Sequence, residues 1–253
     1  MKKSIGFIGG GRITKIILQA FKNQTQELGK VLVFDINAEV CQALKQKFPN
    51  IEISDINAVV NQEIVFISLH PPVIMETLGK IKEMVKKESI FISLAPKITI
   101  DKISTAIGNK NIVRLIPNAT SFINQGYNPI CFENDFKDKQ EILNLLSALG
   151  KTFETDEAKL EAYAIASAML PTYFWFQWYE MIEIAKQLGL TDAESKETVE
   201  QTLLASLHLM FKSGLSKNEV IDLIPVKPIG ENEGQIKEIL QTKLTGLFAK
   251  IKP

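Results

Sequence analysis

The sequence predicts an α/β fold: a doubly wound sheet domain over residues 1–155, followed by an all-α dimerisation domain over residues 156–253. Three observations carry this expectation. Short apolar, β-branched runs alternate with helical patterns through the first part, as strands buried on both faces of a parallel sheet do. The first dozen residues pass from an apolar strand through glycines into an amphipathic helix. Beyond residue 157 the alternation stops, and only helical patterns remain.

The first strand pattern covers 4–9, and Gly9-Gly10-Gly11 turns the chain into a helix over 12–22. Gly9 and Gly11 fill two of the three small positions of a dinucleotide fingerprint, and Thr14 stands at the third. The first glycine permits a sharp turn, and the second lets backbone approach a pyrophosphate at the helix N-terminus, beside Arg12 and Ile13. A second strand at 30–35 ends in Asp35, 24 residues beyond Gly11, near the spacing of a ribose-binding carboxylate. A flavodoxin-like fold that uses its glycines only to turn is the alternative. The acid at residue 35 favours the dinucleotide, and with it a Rossmann-type domain.

Further strand patterns follow at 51–54, 64–69, 89–95 and 112–117, with helices at 37–47, 73–86 and 99–107 between them. Alternating strand and helix implies right-handed crossovers, which place a ligand outside the carboxyl ends of the strands. Those ends read Leu69-His70-Pro71, Leu94-Ala95-Pro96 and Pro117-Asn118. Leu69, His70, Pro71, Ala95 and Asn118 are therefore expected at the rim where a nicotinamide would lie. The prolines also end strands by fixing the exit of the chain. His70 is equally suited to a cofactor contact and to a solvated loop, and His208 to surface or interface.

A strand at 129–132, a helix at 136–149 and a last strand at 151–154 complete the first domain. Helices are expected over 157–188, 192–213, 216–223 and 233–250, with Gly189 and Gly214 as C-caps and Thr191 and Ser216 as N-caps. Residues 173–179, Tyr-Phe-Trp-Phe-Gln-Trp-Tyr, are aromatic around the whole helix. A helix apolar on all sides is covered on all sides, and a second subunit is the expected cover.

Composition excludes several classes. Lysine plus arginine and aspartate plus glutamate are 29 each, so charge balance points to no nucleic acid. No apolar run reaches the roughly 18 residues of a membrane span. The glycines after Met-Lys-Lys break the run that a secretory leader would need. Cys41 and Cys131 are too few for a disulfide framework or zinc site and read as free thiols in a reducing cytoplasm. With two histidines, no metal site is expected.

These residues resemble the pyrroline-5-carboxylate reductase family almost end to end. Gly6-Phe7-Ile8-Gly9-Gly10-Gly11 resembles its G-F-I-G-x-G, and His70-Pro71 stands where it has Lys-Pro. Ser93 to Thr99 is similar to its S-I-A-A-G-I-T, and Val113 to Asn118 to its V-R-x-M-P-N. Pro171-Thr172-Tyr173 matches P-A-Y, Gly189-Leu190 matches G-L, and Gln201-Thr202 matches Q-T. The resemblance implies an oxidoreductase passing hydride from a nicotinamide to the C=N of a cyclic imine. Its substrate would lie between the rim and the helices, with Tyr173 or Thr172 as the donor to the imine nitrogen. Packing at an interface is the competing role for Tyr173.

The departures fall where substrate would bind. The family's G-S-G is Ala168-Met169-Leu170 here, and its S-P-G-G-T-T loop aligns with Lys227-Pro228-Ile229-Gly230-Glu231-Asn232. Glu231 thus places a carboxylate where the family grips its substrate's carboxylate with a threonine. Two such charges about 4 Å apart repel by about 4 kcal/mol in an intermediate dielectric. Lys227 would offset this, or the loop over 225–234 is shifted, or a buried, protonated Glu231 would serve as a general acid. Another imine or ketone, or a non-catalytic dinucleotide-binding dimer, are the alternative readings. Asp35, with no Arg or Lys through Cys41, repels a 2′-phosphate, so NAD(H) is expected over NADP(H).

Overall fold

The computed structural model describes residues 2–253. Eight strands form one sheet in the order β3-β2-β1-β4-β5-β6-β7-β8. They are β1 (Ile5–Ile8), β2 (Val31–Phe34), β3 (Glu52–Ile53), β4 (Ile64–Ile67), β5 (Ile90–Ser93), β6 (Ile112–Leu115), β7 (Gly126–Phe132) and β8 (Gly150–Glu154). The first six run parallel, while β7 pairs antiparallel with β6 and β8 parallel with β7. The chain moves outward from β1 to β3, then returns to β4 beside β1, so the strand order reverses between β1 and β4. That crevice is where an open α/β sheet takes its ligand.

Successive side chains of a strand alternate between the faces of the sheet. Accordingly Phe7, Val33, Phe66, Ile92 and Val113 join one buried cluster, and Ile8, Leu32, Val65, Ile67, Phe91 and Ile112 join the other. Phe7 and Phe66 are register partners and stack at 4.8 Å. Burial of strands on both faces explains their continuous apolar runs.

The helices around the sheet are α1 (Arg12–Asn23), α2 (Ala38–Lys47), α3 (Ile56–Val60), α4 (Pro71–Ile81), α5 (Ile100–Ile107), α6 (Lys139–Leu146) and α7 (Leu160–Tyr163). Three features differ from the sequence expectation. Pro71 and Pro72 open α4 rather than precede it, because proline lacks the amide that a first helical turn leaves unpaired anyway. The short α3 was missed, its cap Asp55 accepting from the Ala58 amide at 2.8 Å. β7 reverses direction because the connection from β6, residues 116–125 with the 3-10 turn Ala119–Ile123 at its centre, is shorter than the dozen or more residues that a parallel crossover needs.

By packing, the chain divides into two units: residues up to Met169 together with Leu247–Pro253, and Leu170–Gly246. The composition changes near residue 155, but Leu160 and Ala164 bury themselves in the sheet's core, and Ile251 packs against it. The expected helix over 157–188 is interrupted: a 3-10 turn at Glu157–Lys159, α7, a π turn at Ala164–Ala168, then α8 (Leu170–Gln187). The second unit holds α8, α9 (Asp192–Lys212), α10 (Lys217–Asp222) and the greater part of α11 (Glu233–Ile251). Thr191 and Ser216 cap α9 and α10 in reciprocal boxes with Glu194 and Glu219.

Candidate active site

The loop from β1 to α1 is built around Gly9, whose φ of 104° lies in the left-handed region. A Cβ there would also stand 2.6 Å from the Ser68 carbonyl oxygen at the end of β4, so both conformation and space require glycine. Thr14 is fully buried and donates its hydroxyl to the Gly9 carbonyl at 2.6 Å, which satisfies the polar group that replaces the usual small residue. Gly11 caps α1 without a side-chain hydrogen bond, and a Cβ built on it meets nothing within 4 Å. The first turn of α1 carries no acid and begins with exposed Arg12. Open backbone, unpaired first-turn amides and an adjacent guanidinium form a cradle that suits a pyrophosphate.

A pocket of about 290 Å³ opens beside this cradle, entirely within the sheet unit. It brings together Gly11, Arg12 and Ile13 with Leu69, His70 and Pro71 after β4, and Leu94, Ala95 and Pro96 after β5. Ile116 and Pro117 from the end of β6 complete its rim, and Ala164, Ala168 and Met169 of the helical segment also line it. Seven of the ten residues expected to bind cofactor thus share one cavity. Met169, which replaces a small family residue, lines the cavity without filling it.

Gly9, Asp35 and Asn118 lie outside that lining. Gly9 shapes the turn, and Asp35 sits half-buried at the end of β2. Its two carboxylate oxygens accept from the Gly10 amide at 2.8 Å and the Asn37 amide at 2.9 Å. This ties the glycine turn to the start of α2, with Ile36 fully exposed alongside. Asn118 differs more from the rim role expected of it. Its side-chain amide donates to the Ser167 carbonyl at 3.0 Å and hydroxyl at 3.2 Å, and its oxygen accepts from the Thr120 amide and hydroxyl, both at 3.0 Å. Both ends of the side chain are engaged in holding the segment before α8 to the strand ends.

Sequence reasoning passed over the charged cluster below this rim. Arg114, fully buried in β6, binds Glu157 at 2.8 Å and Glu161 at 2.6 Å. The available signal was an arginine inside an apolar strand, with two acids four residues apart farther on.

Thr172, Tyr173 and Glu231 belong to the helical unit. Thr172 is exposed and Tyr173 half-buried in the first turn of α8. Burial pushes the Tyr173 phenol above its ordinary pKa, so it keeps its proton through the neutral range. Glu231 lies in the single turn Gly230–Asn232 and is exposed in the chain. Among the described residues, no three His, Cys, Asp or Glu side chains come together as a metal-binding group.

Comparison with known proteins agrees with this geometry. The family model described as NADP oxidoreductase, coenzyme F420-dependent, matches residues 4–97. The pyrroline-5-carboxylate reductase of Pasteurella multocida is 26% identical over 219 residues, covering 83% of this chain and 80% of that protein. That of Escherichia coli is 25% identical over 231 residues, covering 88% and 85%. In fold, the NADP-bound pyrroline carboxylate reductase of Plasmodium falciparum superposes with a TM-score of 0.83 at 20% identity, covering 99% of this chain and 97% of the other. The Streptococcus pyogenes 1-pyrroline-5-carboxylate reductase gives 0.83 at 19% identity, covering 99% and 98%. Proteins of the same name recur in sequence and in fold across most of the chain, and they carry the name of the family that its glycine turn, strand ends and helix motifs resemble. The chain is thus similar, at 25–26% identity over most of its length, to pyrroline-5-carboxylate reductases, and it shares the fold of solved ones.

Proposed function

We propose that this NAD(P)-dependent oxidoreductase reduces the C=N bond of a cyclic imine of the pyrroline-5-carboxylate type, with NADH preferred to NADPH. The observation that carries the reading is the single pocket at the strand-order reversal, joining the Gly11–Ile13 cradle to the rim at Leu69–Pro71 and Ala95. A bound nicotinamide supplies the hydride. The chain's own residues orient and bury the reacting groups, which is how protein accelerates cofactor chemistry. The α1 N-terminus and Arg12 hold the pyrophosphate. Asp35 accepts from the ribose hydroxyls with its remaining lone pairs and repels a 2′-phosphate. Tyr173, protonated at neutral pH, is the foremost donor for the imine nitrogen, with Thr172 as its neighbour in that role and Glu231 as the third acid–base candidate.

A second copy of the chain covers the exposed apolar helices of the second unit, making the enzyme a homodimer. The same reading places it in the cytoplasm, where Cys41 and Cys131 stay buried free thiols. No helix among the described residues is long and apolar enough to cross a membrane.

Glu231 favours a second reading, in which the substrate is a neutral or amine-bearing imine or ketone. An exposed carboxylate in the loop that the family uses to hold a carboxylate suits a cation better than an anion. The deciding experiment follows NADH and NADPH oxidation by purified protein with pyrroline-5-carboxylate. Turnover with NADH above background supports the first reading. Turnover only with NADPH retains the imine and overturns the role of Asp35. Tight NADH binding without turnover, and Glu231→Thr gaining activity, would move the substrate to the second reading.

A further inference from the structure

We propose that Glu161, Glu157 and Arg114 form a positioning clamp that holds one wall of the cofactor pocket in a backbone conformation it would not keep by itself. The inference rests on the pocket being the dinucleotide site. The wall is Leu94, Ala95 and Pro96. It turns at Lys97, a non-glycine residue with φ of 76°, in the left-handed region that L-residues avoid. In the family motif that position is glycine. Lys97 is exposed, so packing of its side chain does not enforce the turn.

The backbone is held from beneath instead. Glu161, 2% exposed, accepts with a single oxygen from the Lys97 amide at 3.0 Å and from Arg114 at 2.6 Å. Glu157 divides one oxygen in the same way between the Ile100 amide at 2.7 Å and Arg114 at 2.8 Å. Arg114 also reaches the Ala95 carbonyl at 3.5 Å, a long contact that adds little. Thus each acid joins the guanidinium to one amide of the segment that follows the wall. Those amides precede or open α5 and lack helical acceptors of their own. A buried ion cluster is weak evidence for stability, because desolvation offsets much of its attraction. Its geometry here serves the corner: both carboxylates point at backbone whose shape sets where Ala95 and Pro96 stand.

The test uses the full chain and NADH fluorescence titration, with hydrogen exchange of the peptide over 94–101 as a readout independent of the cofactor. Glu161→Leu should raise the NADH dissociation constant by about tenfold and speed exchange over that peptide. Glu161→Gln keeps the accepting oxygen and should stay close to wild type. Adding Lys97→Gly to Glu161→Leu should recover most of the NADH affinity, since glycine adopts the left-handed corner without support. A role in general stability alone would not show that recovery. Lys97→Val disturbs no buried charge and, where Glu161→Leu does not fold, should weaken NADH binding by itself.

Unchanged affinity in Glu161→Leu or in Lys97→Val overturns the clamp, as does a Glu161→Leu loss that Lys97→Gly leaves in place. If the wild-type chain binds neither dinucleotide, the reading of the pocket fails and the clamp's role with it. Wild-type binding with unaffected variants overturns the clamp alone.

Discussion

Asp35 joins two tasks at one carboxylate. It braces the glycine turn and the start of α2 through two amides, and in the proposed function it also repels a 2′-phosphate. The tasks separate in Asp35→Asn, which keeps an acceptor oxygen and removes the charge. Both cofactors would suffer from a loosened loop, so the informative quantity is their ratio. The proposed preference for NADH over NADPH should fall by about tenfold, as expected for loss of a partly screened like-charge repulsion. An unchanged ratio of dissociation constants would sink the assignment. Cys131 shows the opposite case, a group that burial removes from chemistry. Its thiol pKa is pushed up to about 12, first by burial and then by the charge of Glu157. The Cys41 thiol is also raised, again mainly by burial. Alkylation with iodoacetamide at pH 8 should leave both thiols unmodified in the native chain and modify both after denaturation. Rapid labelling of the folded protein would contradict this. Asp35 was legible in the sequence because its distance from Gly11 is a local spacing. The burial of Arg114 against Glu157 and Glu161 was not, since those partners lie 43 and 47 residues away.

At the scale of elements, the sheet is tied at its amino end as well as at its ligand end. Glu63, just before β4, accepts from the Ser4 amide at 2.8 Å and pairs with Lys3 at 3.3 Å. The Ser4 amide, and then Lys3, hold its carboxyl below the ordinary carboxylate range. A depressed folded pKa means that the stabilisation is fully present above the ordinary pKa and is lost as pH falls through the lowered value. The group is half exposed, so the effect is small. Glu63→Gln should lower the melting temperature by about 1–2 °C at neutral pH, with the gap closing in acid. A gap that widens in acid would refute the assignment. The helix caps at Thr191 and Ser216 were readable in the sequence because a capping box spans only four residues. The break of the long helix into a π turn at Ala164–Ala168 was not readable. Ser167 there binds Asn118 and also donates to the Tyr127 carbonyl at 2.9 Å, contacts that no local pattern announces.

At the scale of the whole molecule, the two units bury their residues very differently. The sheet unit has cores on both faces, while Ser195 is the only buried side chain from residue 170 to 246. Isolated helices draw most of their stability from packing an apolar face. Here a groove of about 580 Å³ between α8 and α9 is lined by Trp175, Trp178, Tyr179, Leu203 and Leu207, and Phe176 and Phe211 stand largely exposed. The proposed homodimer should appear in sedimentation as twice the chain mass at micromolar concentration. Trp175 and Trp178 are the two tryptophans of the chain, so intrinsic fluorescence reports on this groove alone. Dilution through the dissociation constant should shift their emission to longer wavelength, and Leu204→Glu, at an exposed leucine that also lines the groove, together with Leu207→Glu should give the diluted spectrum at every concentration. A monomer throughout would overturn the dimer.

The sequence by itself determined the order and type of nearly all elements, the glycine turn with its distant acid, the change to helices and the resemblance to pyrroline-5-carboxylate reductases. Each of these is written in a local period, a cap or a short spacing that backbone geometry reads directly. Tertiary structure alone decided that β7 runs against β6, that Asn118 turns inward to Ser167, and that Arg114 meets two acids beneath a left-handed lysine. Those features depend on segments brought together by folding, where burial and the need to pair every polar group select partners that no neighbouring residue specifies.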